Sequence, residues 1–284
     1  MQAKTENIDD FMEKMAFERV KTLLYEKTGL NCSGYRDEYL HRRFKIRLRV
    51  IGADNYGKYL VYLKSNPDEF QNLLNDLAIN YTMFFRDSDV YTYLHKILLP
   101  KILLSSSHVR IWSAGCATGE EPYSLSILVH KVLGHALSNH IVTIYASDID
   151  KDALNKAKDG VYLQKQLSFL DSVSIDRFFT LEGENCRVNN SVKQLVHFEQ
   201  VDLNTPSVHQ HLDLILCRNV MIYFSKESQQ RIHMNFYNSL KDGGYFIIGK
   251  SEILSGEPYK LFQPVDFLTR VYQKPKKTYE QTKV

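Results

Sequence analysis

The stretch Ser113-Ala-Gly-Cys-Ala-Thr-Gly-Glu-Glu-Pro-Tyr-Ser-Leu-Ser-Ile127 decides the fold class of this chain. It follows the short apolar run Val109–Trp112 and leads into a segment with helical periodicity. A strand, a glycine turn and a helix in this order predict one unit of a doubly wound α/β sheet with a ligand bound over the turn. The turn also carries two adjacent acids, Glu120 and Glu121, where a phosphate would lie in many such units.

Strand-like runs alternate with helical segments from residue 109 onward, which predicts a mostly parallel sheet. The predicted strands are Val109–Trp112, Ile141–Ala146, Val196–Glu199, Leu212–Cys217, Tyr245–Ile248 and Phe267–Gln273, and the predicted helices are Pro122–Leu133, Asp152–Lys158 and Lys226–Leu240. The last two strands lack a helix between them, so we expect an antiparallel pair at one sheet edge. An insertion at about 172–197 is expected to form a small β-hairpin that turns at Gly183.

Residues 1–80 have a different texture, because their apolar residues recur at helical spacing throughout. We therefore expect an all-helical N-terminal domain over 1–80, a linker over 81–88 and an α/β domain over 89–284. In the helix that contains Leu40, Phe44 and Leu48, the basic residues fall on the opposite face. These basic residues are Arg42, Lys45 and Arg49.

Composition excludes several classes of protein. The 284 residues carry a formal net charge of +3, which is too small to indicate a nucleic-acid partner. No apolar run reaches the roughly 18 residues of a membrane span, and the N-terminus lacks the apolar core of a secretion signal, so we expect a cytoplasmic protein. The four cysteines form no CxxC pair and the ten histidines show no ligand spacing, so no metal site is expected. Heptad repeats are also missing, which favours a monomer.

The glycine turn does not match the phosphate-binding motifs. A P-loop needs lysine after its last glycine, but Glu120 follows Gly119, and a dinucleotide fingerprint needs glycine where Ala117 stands. The two acids would also repel a pyrophosphate, by roughly 4 kcal/mol for unit charges at about 4 Å and an effective dielectric near 20. The alternative for Glu120 and Glu121 is plain negative charge in the first turn of a helix.

A cationic ligand fits this turn better. S-adenosylmethionine carries a sulfonium and an ammonium and no phosphate. Its ribose needs an acid at the end of the next strand, and Asp148 follows the run Ile141–Ala146 closely. A carboxylate there can accept hydrogen bonds from both ribose hydroxyls. The alternative for Asp148 is an N-cap of the helix that starts near residue 152.

Five motifs now carry a resemblance to a known family. They are Asn80-Tyr-Thr-Met-Phe-Phe-Arg86, Trp112-Ser-Ala-Gly-Cys-Ala-Thr-Gly-Glu-Glu-Pro-Tyr-Ser124, Ala146-Ser-Asp-Ile-Asp150, Cys217-Arg-Asn-Val-Met-Ile-Tyr-Phe224 and Gly249-Lys-Ser-Glu252. In this order they resemble the motifs of the CheR-type chemotaxis-receptor glutamate methyltransferases, and the helical start is similar to that family's N-terminal domain. The resemblance implies transfer of a methyl group from S-adenosylmethionine to receptor glutamates, with S-adenosylhomocysteine as the other product.

The resemblance also implies roles for individual residues. The implied cofactor-binding residues are Asn80, Thr82, Arg86, Gly115, Glu120, Asp148, Asp202, Leu203, Arg218 and Asn219, and the implied catalytic residues are Arg86, Arg218 and Tyr223. Asp202 stands where some relatives carry an amide. Lys250 stands where many carry histidine, so its role is left open.

Each catalytic assignment has an alternative. Arg86 would hold the substrate carboxylate in a fork geometry or the cofactor's own carboxylate, and otherwise caps a surface segment. Arg218 otherwise forms a salt bridge under the sheet, and Tyr223 otherwise packs in the core. A glutamate has a pKa of about 4.3 and is already ionised near neutral pH, so methylation needs alignment more than a general base.

The resemblance further implies that Arg42, Lys45 and Arg49 dock the acidic methylation region of receptors, the alternative being a solvated helix face. A nucleic-acid methyltransferase is disfavoured because Cys217-Arg-Asn-Val220 replaces the Asn/Asp-Pro-Pro-aromatic motif of amino-methylating enzymes. A module that binds the cofactor without turnover remains the third alternative. Some family members grip a receptor tail with the inserted hairpin. We expect that this chain does not, because Glu182 and Glu184 flank its single turn glycine.

Overall fold

In the computed structural model, the chain is described over residues 2–78 and 80–276, with side chains of the first helix described from residue 9 onward. Its contacts divide it into two compact units. One unit is Met1–Ile79 together with Tyr223–Ser228, and the other is Asn80–Ile222 together with Gln229–Val284. A short segment from late in the chain therefore belongs to the N-terminal unit.

The first unit is built from helices. They are α1 (Gln2–Thr28), α2 (Asp37–Ile51), α3 (Tyr56–Ser65) and α4 (Glu69–Leu77). The apolar face predicted for α2 is buried, and α2 ends at Gly52, whose φ of 71° lies in the left-handed region that favours glycine. Segment 223–228 joins this unit through a backbone bridge between Tyr35 and Phe224, whose rings stack at 4.5 Å.

The second unit contains the predicted doubly wound sheet. Its strands are β1 (His108–Ala114), β2 (Ile141–Asp148), β3 (Val161–Leu163), β4 (Phe179–Glu182), β5 (Asn185–Val188), β6 (Val196–Gln200), β7 (Leu212–Cys217), β8 (Leu240–Ile248), β9 (Gln263–Asp266) and β10 (Val271–Gln273). Within the described residues, the large sheet has the order β6-β2-β1-β7-β8-β10-β9. The first five of these strands run parallel, and β10 is antiparallel to β8, as predicted. The expectation that no helix separates the last two strands is wrong, because a short helix, Glu257–Leu261, lies between β8 and β9, and β9, which pairs antiparallel with β10, forms the sheet edge.

Helices separate many of the strands of this unit along the chain. They are α5 (Ser88–Tyr93), α6 (Leu99–Leu103), α7 (Glu120–Leu133), α8 (Lys151–Asp159), α9 (Ser172–Phe178), α10 (Asn190–Lys193), α11 (Lys226–Ser239) and α12 (Glu257–Leu261). A π-helical segment, Leu94–Leu98, joins α5 to α6. Every residue of β7 is buried, as expected of a parallel strand with helices on both faces.

The predicted strand Phe267–Gln273 is wrong in its first half. Strand β9 ends at Asp266, and a turn precedes β10 at Val271. The Asp266 carboxylate closes this turn by accepting the backbone N–H of Thr269 at 2.7 Å and its hydroxyl at 2.6 Å. Phe267 and Leu268 made the run look strand-like, but they are exposed at the tip.

The inserted hairpin is confirmed and is larger than predicted. Strands β4 and β5 pair on either side of Gly183-Glu184, and β3 adds a third antiparallel strand beside β5. Strand β3 has only three residues, too short for a period of two to be visible in the sequence. The backbone of Gln164 donates to the Glu184 carbonyl at 2.9 Å, which ties the turn to the segment after β3.

Candidate active site

The glycine turn lies at the carboxyl edge of the sheet, where ligands bind in doubly wound folds. Gly115 has φ +80°, and a Cβ there would come within 2.5 Å of Val220. Gly119 has φ +95°, and its Cβ would come within 2.8 Å of the Ala157 methyl. Both positions therefore require glycine, and the backbone N–H of Gly115 is fixed by the Ser147 carbonyl at 2.8 Å.

Two carboxylates, one buried and one half-buried, border this turn without a cationic partner among the described residues. Glu120 is 2% exposed and accepts from the Thr118 hydroxyl at 2.7 Å and from the Gln166 amide at 3.3 Å. Asp148, at the end of β2, accepts backbone N–H groups of Ala117 at 2.8 Å and Asp150 at 3.0 Å. Over residues 2–78 and 80–276, no basic side chain forms an ion pair with either one. Burial raises the pKa of both groups.

Asp150, not Asp148, is the N-cap of α8. Its Oδ1 accepts the backbone N–H groups of Asp152 at 2.8 Å and Ala153 at 3.1 Å. Its Oδ2 accepts the side-chain amide of Asn80 at 2.6 Å, which brings the start of the 80–88 segment to the strand end beside Asp148. The capping alternative for Asp148 is therefore wrong, and its carboxylate lies at the glycine turn instead.

Arg218, directly after β7, has a buried guanidinium in a network of its own unit. It pairs with Asp87 at 2.5 Å and with Glu121 at 3.4 Å, and it donates to the Arg86 carbonyl at 3.0 Å. The Ser113 hydroxyl donates to the other oxygen of Glu121 at 2.9 Å. The sequence treats Glu120 and Glu121 alike, but the structure shows that Glu121 is neutralised and Glu120 is not. These contacts are those of the salt-bridge alternative, and contact of Arg218 with a ligand stays a prediction.

Arg86 projects from a backbone held in unusual conformations. Its neighbours Phe85 and Asp87 have φ of 54° and 61°, a region that non-glycine residues seldom adopt. The Ser124 hydroxyl accepts the Phe85 N–H at 3.1 Å, and Arg218 holds Asp87. The half-buried guanidinium of Arg86 donates to the Tyr81 carbonyl at 3.0 Å and lies 5.3 Å from the Tyr81 ring. A planar cation is thus mounted at this edge, and its ligand stays a prediction.

The remaining predicted cofactor residues of this unit are half-buried. Thr82 lies in the 80–88 segment, and Asp202 and Leu203 follow β6. The Asp202 carboxylate accepts both the backbone and the side-chain amide of Asn204, at 2.9 and 3.0 Å. Asn219 follows β7 with φ of 61°. All four come from segments at or next to the carboxyl ends of the parallel strands.

The structure shows an ion-pair partner for Lys250, whose role the sequence leaves open. Its ammonium pairs with Asp89 in the first turn of α5 at 2.6 Å, with both side chains about half exposed. Together with the Arg218–Asp87 pair, it links the segment around Arg86 to the ends of both β7 and β8. The sequence analysis missed Asp87, which stands next to Arg86, and it did not separate Glu121 from Glu120 as the partner of Arg218.

In the helical unit, the basic face of α2 is exposed as predicted. Arg42, Lys45 and Arg49 all face solvent. Arg47, by contrast, turns inward to form a two-bonded ion pair with Glu69 at 2.7 and 2.8 Å. Tyr223 also belongs to this unit, and its ring centroid lies 4.8 Å from that of Tyr39, whose pKa burial raises to about 12.

Within the described residues, no group of three or more histidine, cysteine or acidic side chains lies close enough together to hold a metal ion. Nor does any helix in the described part of the chain have the length and apolar character needed to cross a bilayer.

Comparison with known proteins gives two family models and several relatives. The model described as "CheR methyltransferase, SAM binding domain" matches residues 80–269, and the one described as "CheR methyltransferase, all-alpha domain" matches residues 15–78. A chemotaxis protein methyltransferase of Borreliella burgdorferi is 31% identical over 260 residues, which is 88% of this chain and 92% of the relative.

Two other relatives extend the match. A chemotaxis protein methyltransferase of Klebsiella aerogenes is 34% identical and covers 84% of this chain and 83% of its own length. Chemotaxis protein methyltransferase 2 of Pseudomonas aeruginosa is 36% identical, and the match covers 83% of this chain and 85% of the relative. The matched length spans both the helical unit and the doubly wound sheet, and it includes the glycine turn with Glu120. This chain belongs to the CheR methyltransferase family, and it is an S-adenosylmethionine-dependent methyltransferase.

Proposed function

We propose that this enzyme transfers the methyl group of S-adenosylmethionine to glutamate side chains of chemotaxis receptors, forming methyl esters and S-adenosylhomocysteine. The observation that carries the proposal is the pair of acids without a cationic partner, buried Glu120 and half-buried Asp148, at a glycine turn that rejects phosphate. Their unpaired charge suits a cationic cofactor, and their acceptor atoms suit its hydroxyl and ammonium donors.

The chain's own residues supply orientation in this reaction. S-adenosylmethionine, when bound, supplies an electrophilic methyl carried on its sulfonium. The acceptor glutamate is ionised near neutral pH, so no residue is required to remove a proton. Arg86 is suited to orient a carboxylate, because its planar fork is held at the sheet edge by the rigid segment around it. Alignment of this kind supplies up to about 7–11 kcal/mol in ideal cases.

The proposal also assigns a division of labour. Residues 1–80 recognise the receptor, 81–88 contribute to the cofactor site, and 89–284 carry the methyltransferase chemistry. Asn80, Thr82, Arg86, Gly115, Asp202, Leu203, Arg218 and Asn219 complete the cofactor site, with Arg218 and Tyr223 acting in catalysis. The enzyme works as a monomer in the cytoplasm and does not bind nucleic acid, in line with its small net charge and missing heptads.

A labelling experiment tests the proposal against its alternatives. The enzyme is incubated with methyl-labelled S-adenosylmethionine and receptor-containing membranes, and the label is followed through mild alkali. We expect alkali-labile label, because esters hydrolyse there and methylamines do not, and Arg86→Ala should lose turnover while retaining its fold. Alkali-stable label would indicate another acceptor, and tight cofactor binding without any transfer would indicate a binding module.

The exposed basic face of α2 is expected to act in docking. Reversing Arg42, Lys45 and Arg49 to glutamate should weaken receptor methylation, and added salt should mimic the effect because the screening length is only about 8 Å at physiological ionic strength. Cofactor affinity, measured by calorimetry, should not change. Normal methylation of receptors by the triple variant would show that this surface is a solvated helix face only.

We expect no binding of a receptor tail peptide by the small sheet. Glu182 is paired with Arg187 at 2.8 and 3.1 Å, so its charge is offset, whereas Glu184 forms no ion pair within residues 2–78 and 80–276. The turn is also closed, since the Glu184 carbonyl is bonded to Gln164. Titration with a tail peptide that ends in an aromatic residue checks this. Saturable micromolar binding that is lost on Thr180→Pro, in edge strand β4, would contradict it.

A further inference from the structure

The carboxylate of Glu252 lies in a cradle of backbone N–H groups. Its Oε2 accepts from Gly249 at 2.6 Å and from Asn219 at 3.0 Å, and its Oε1 accepts from Met221 at 2.8 Å. Two of these donors belong to the loop after β7 and the third follows β8 directly. The side chain is 5% exposed, so these bonds form away from solvent.

No cationic side chain shares this cradle in the described part of the chain. Glu252 forms no ion pair there, and burial raises the pKa of Glu252 while its backbone donors oppose that rise. The fit is close, because a Cβ on Gly249 would come within 2.7 Å of Glu252 Oε2 and 2.8 Å of the Asn219 nitrogen. A buried charge satisfied only by backbone donors costs free energy unless those donors are held in place.

Two of the donors that Glu252 holds, Asn219 and Met221, belong to the loop that carries two site residues. Asn219 has φ of 61°, a left-handed conformation that asparagine tolerates better than most residues but that only glycine adopts at no steric cost. Arg218 precedes it and holds Asp87 and the Arg86 carbonyl. Because Glu252 bonds the backbone of both Asn219 and Met221, it fixes the loop at two points. The conformation of this loop therefore depends on an acid from the next strand end.

We propose that Glu252 is a positioning residue of the cofactor site, which sets the conformation of loop 218–221 without touching the cofactor. The proposal rests on the cofactor site described above and adds to it a residue from the Gly249–Glu252 motif. Glu252 can play this role because both oxygens of its ionised carboxylate accept backbone N–H groups at the same time, one from Met221 and the other from Gly249 and Asn219. A glutamine can accept with only one oxygen and would place its NH2 group against a backbone donor.

The test measures the Kd for S-adenosylhomocysteine by calorimetry in Glu252→Gln. We expect about a tenfold rise, equal to about 1.4 kcal/mol. Asp213→Asn is the control, because Asp213 is also a buried carboxylate of this unit that accepts a backbone N–H, from Arg110 at 2.8 Å. It differs in pairing with Lys241, and it lies near the start of β7, at the opposite end of the parallel strands from the site. The control variant should lower the melting temperature and leave the Kd within twofold. Equal effects of both variants on the Kd would overturn the proposal.

A second readout separates positioning from general stability. Glycine adopts φ of about 60° at no steric cost, so Asn219→Gly should make the loop less dependent on Glu252. The penalty of Glu252→Gln on the Kd should then be several-fold smaller in the Asn219→Gly background than in the wild type. An equal penalty in both backgrounds would mean that the effects are independent and would refute the positioning role.

Two further arms keep the test decisive. If Glu252→Gln does not melt cooperatively, the same comparison is made with Glu252→Asp. This variant keeps the charge but shortens the side chain by one methylene, so its carboxylate no longer reaches the backbone donors. A Kd within twofold of the wild-type value would refute the proposal. Receptor methylation is measured separately on the wild type. If the wild type binds S-adenosylhomocysteine but transfers no methyl group to receptors, the proposed acceptor is wrong. The role of Glu252 is decided separately, by the ratio of each variant's Kd to the wild-type Kd.

Discussion

Asp148→Ala is expected to raise the Kd for S-adenosylhomocysteine about a hundredfold. Two ribose hydroxyls would lose a charged acceptor, and each charge-assisted bond is worth about 1.5–3 kcal/mol, so a total near 3 kcal/mol corresponds to two decades in affinity. The change also releases the Ala117 N–H, which Asp148 fixes at 2.8 Å in a loop where Ala117 has φ of 47°. Calorimetry on the purified variant measures the effect.

Asp152→Ala is the control for this prediction, because Asp152 is an exposed acid in the first turn of α8, four residues away. Its Kd should stay within twofold of wild type. Burial raises the pKa of Asp148 and of Glu120, so wild-type affinity should fall as the pH is lowered through those raised values. An unchanged Kd in Asp148→Ala would reject the ribose assignment.

Arg218→Met is expected to lower the free energy of unfolding by about 3 kcal/mol and to abolish turnover. Removing one partner of a buried ion pair leaves the other charge uncompensated, which typically costs about 3–5 kcal/mol. We expect a loss of unfolding free energy at the lower end of this range, because solvent reaches both acids in part: the Asp87 side chain is 30% exposed and that of Glu121 is 13% exposed. Urea unfolding and the labelling assay measure the two effects.

Two further sets of substitutions test whether the buried network around Arg218, rather than any one ion pair, holds this segment. Lys250→Met breaks the exposed pair with Asp89 on the same segment and should cost under about 1 kcal/mol, as exposed pairs do. Adding Asp87→Asn and Glu121→Gln to Arg218→Met removes the uncompensated charges and should restore most of the stability without restoring turnover. If Arg218→Met unfolds at the wild-type urea concentration, the network does not hold this segment.

Most of the fold could be predicted because its signals are local. The glycine turn with its flanking strand and helix, and the alternation of strands and helices after residue 109, determine the parallel sheet directly. The errors occur where local signals are weak or misleading. Strand β3 is too short to show a period, and exposed Phe267 and Leu268 resemble strand residues although Asp266 closes a turn around them.

The site could be predicted only in part, because its electrostatics depend on distant pairings. Glu120 and Glu121 are adjacent and chemically identical in the sequence, yet only Glu121 reaches Arg218, 97 positions later in the chain. The choice of Asp150 over Asp148 as the cap of α8 likewise depends on the point at which β2 ends. The left-handed backbones of Phe85 and Asp87 have no sequence signal, since neither residue is glycine.

The assignment of Tyr223–Ser228 to the helical unit has a consequence for synthesis of the protein on the ribosome. The contacts of this unit include the bridge between Tyr35 and Phe224 and the ring contact between Tyr39 and Tyr223. Residues 2–78 emerge early, but the segment that completes their unit is made about 150 residues later. At roughly 5–20 residues per second, the nascent helices wait about 7–30 s with the rings of Tyr35 and Tyr39 uncovered. A gene fragment that ends near residue 80 would preserve that incomplete state permanently.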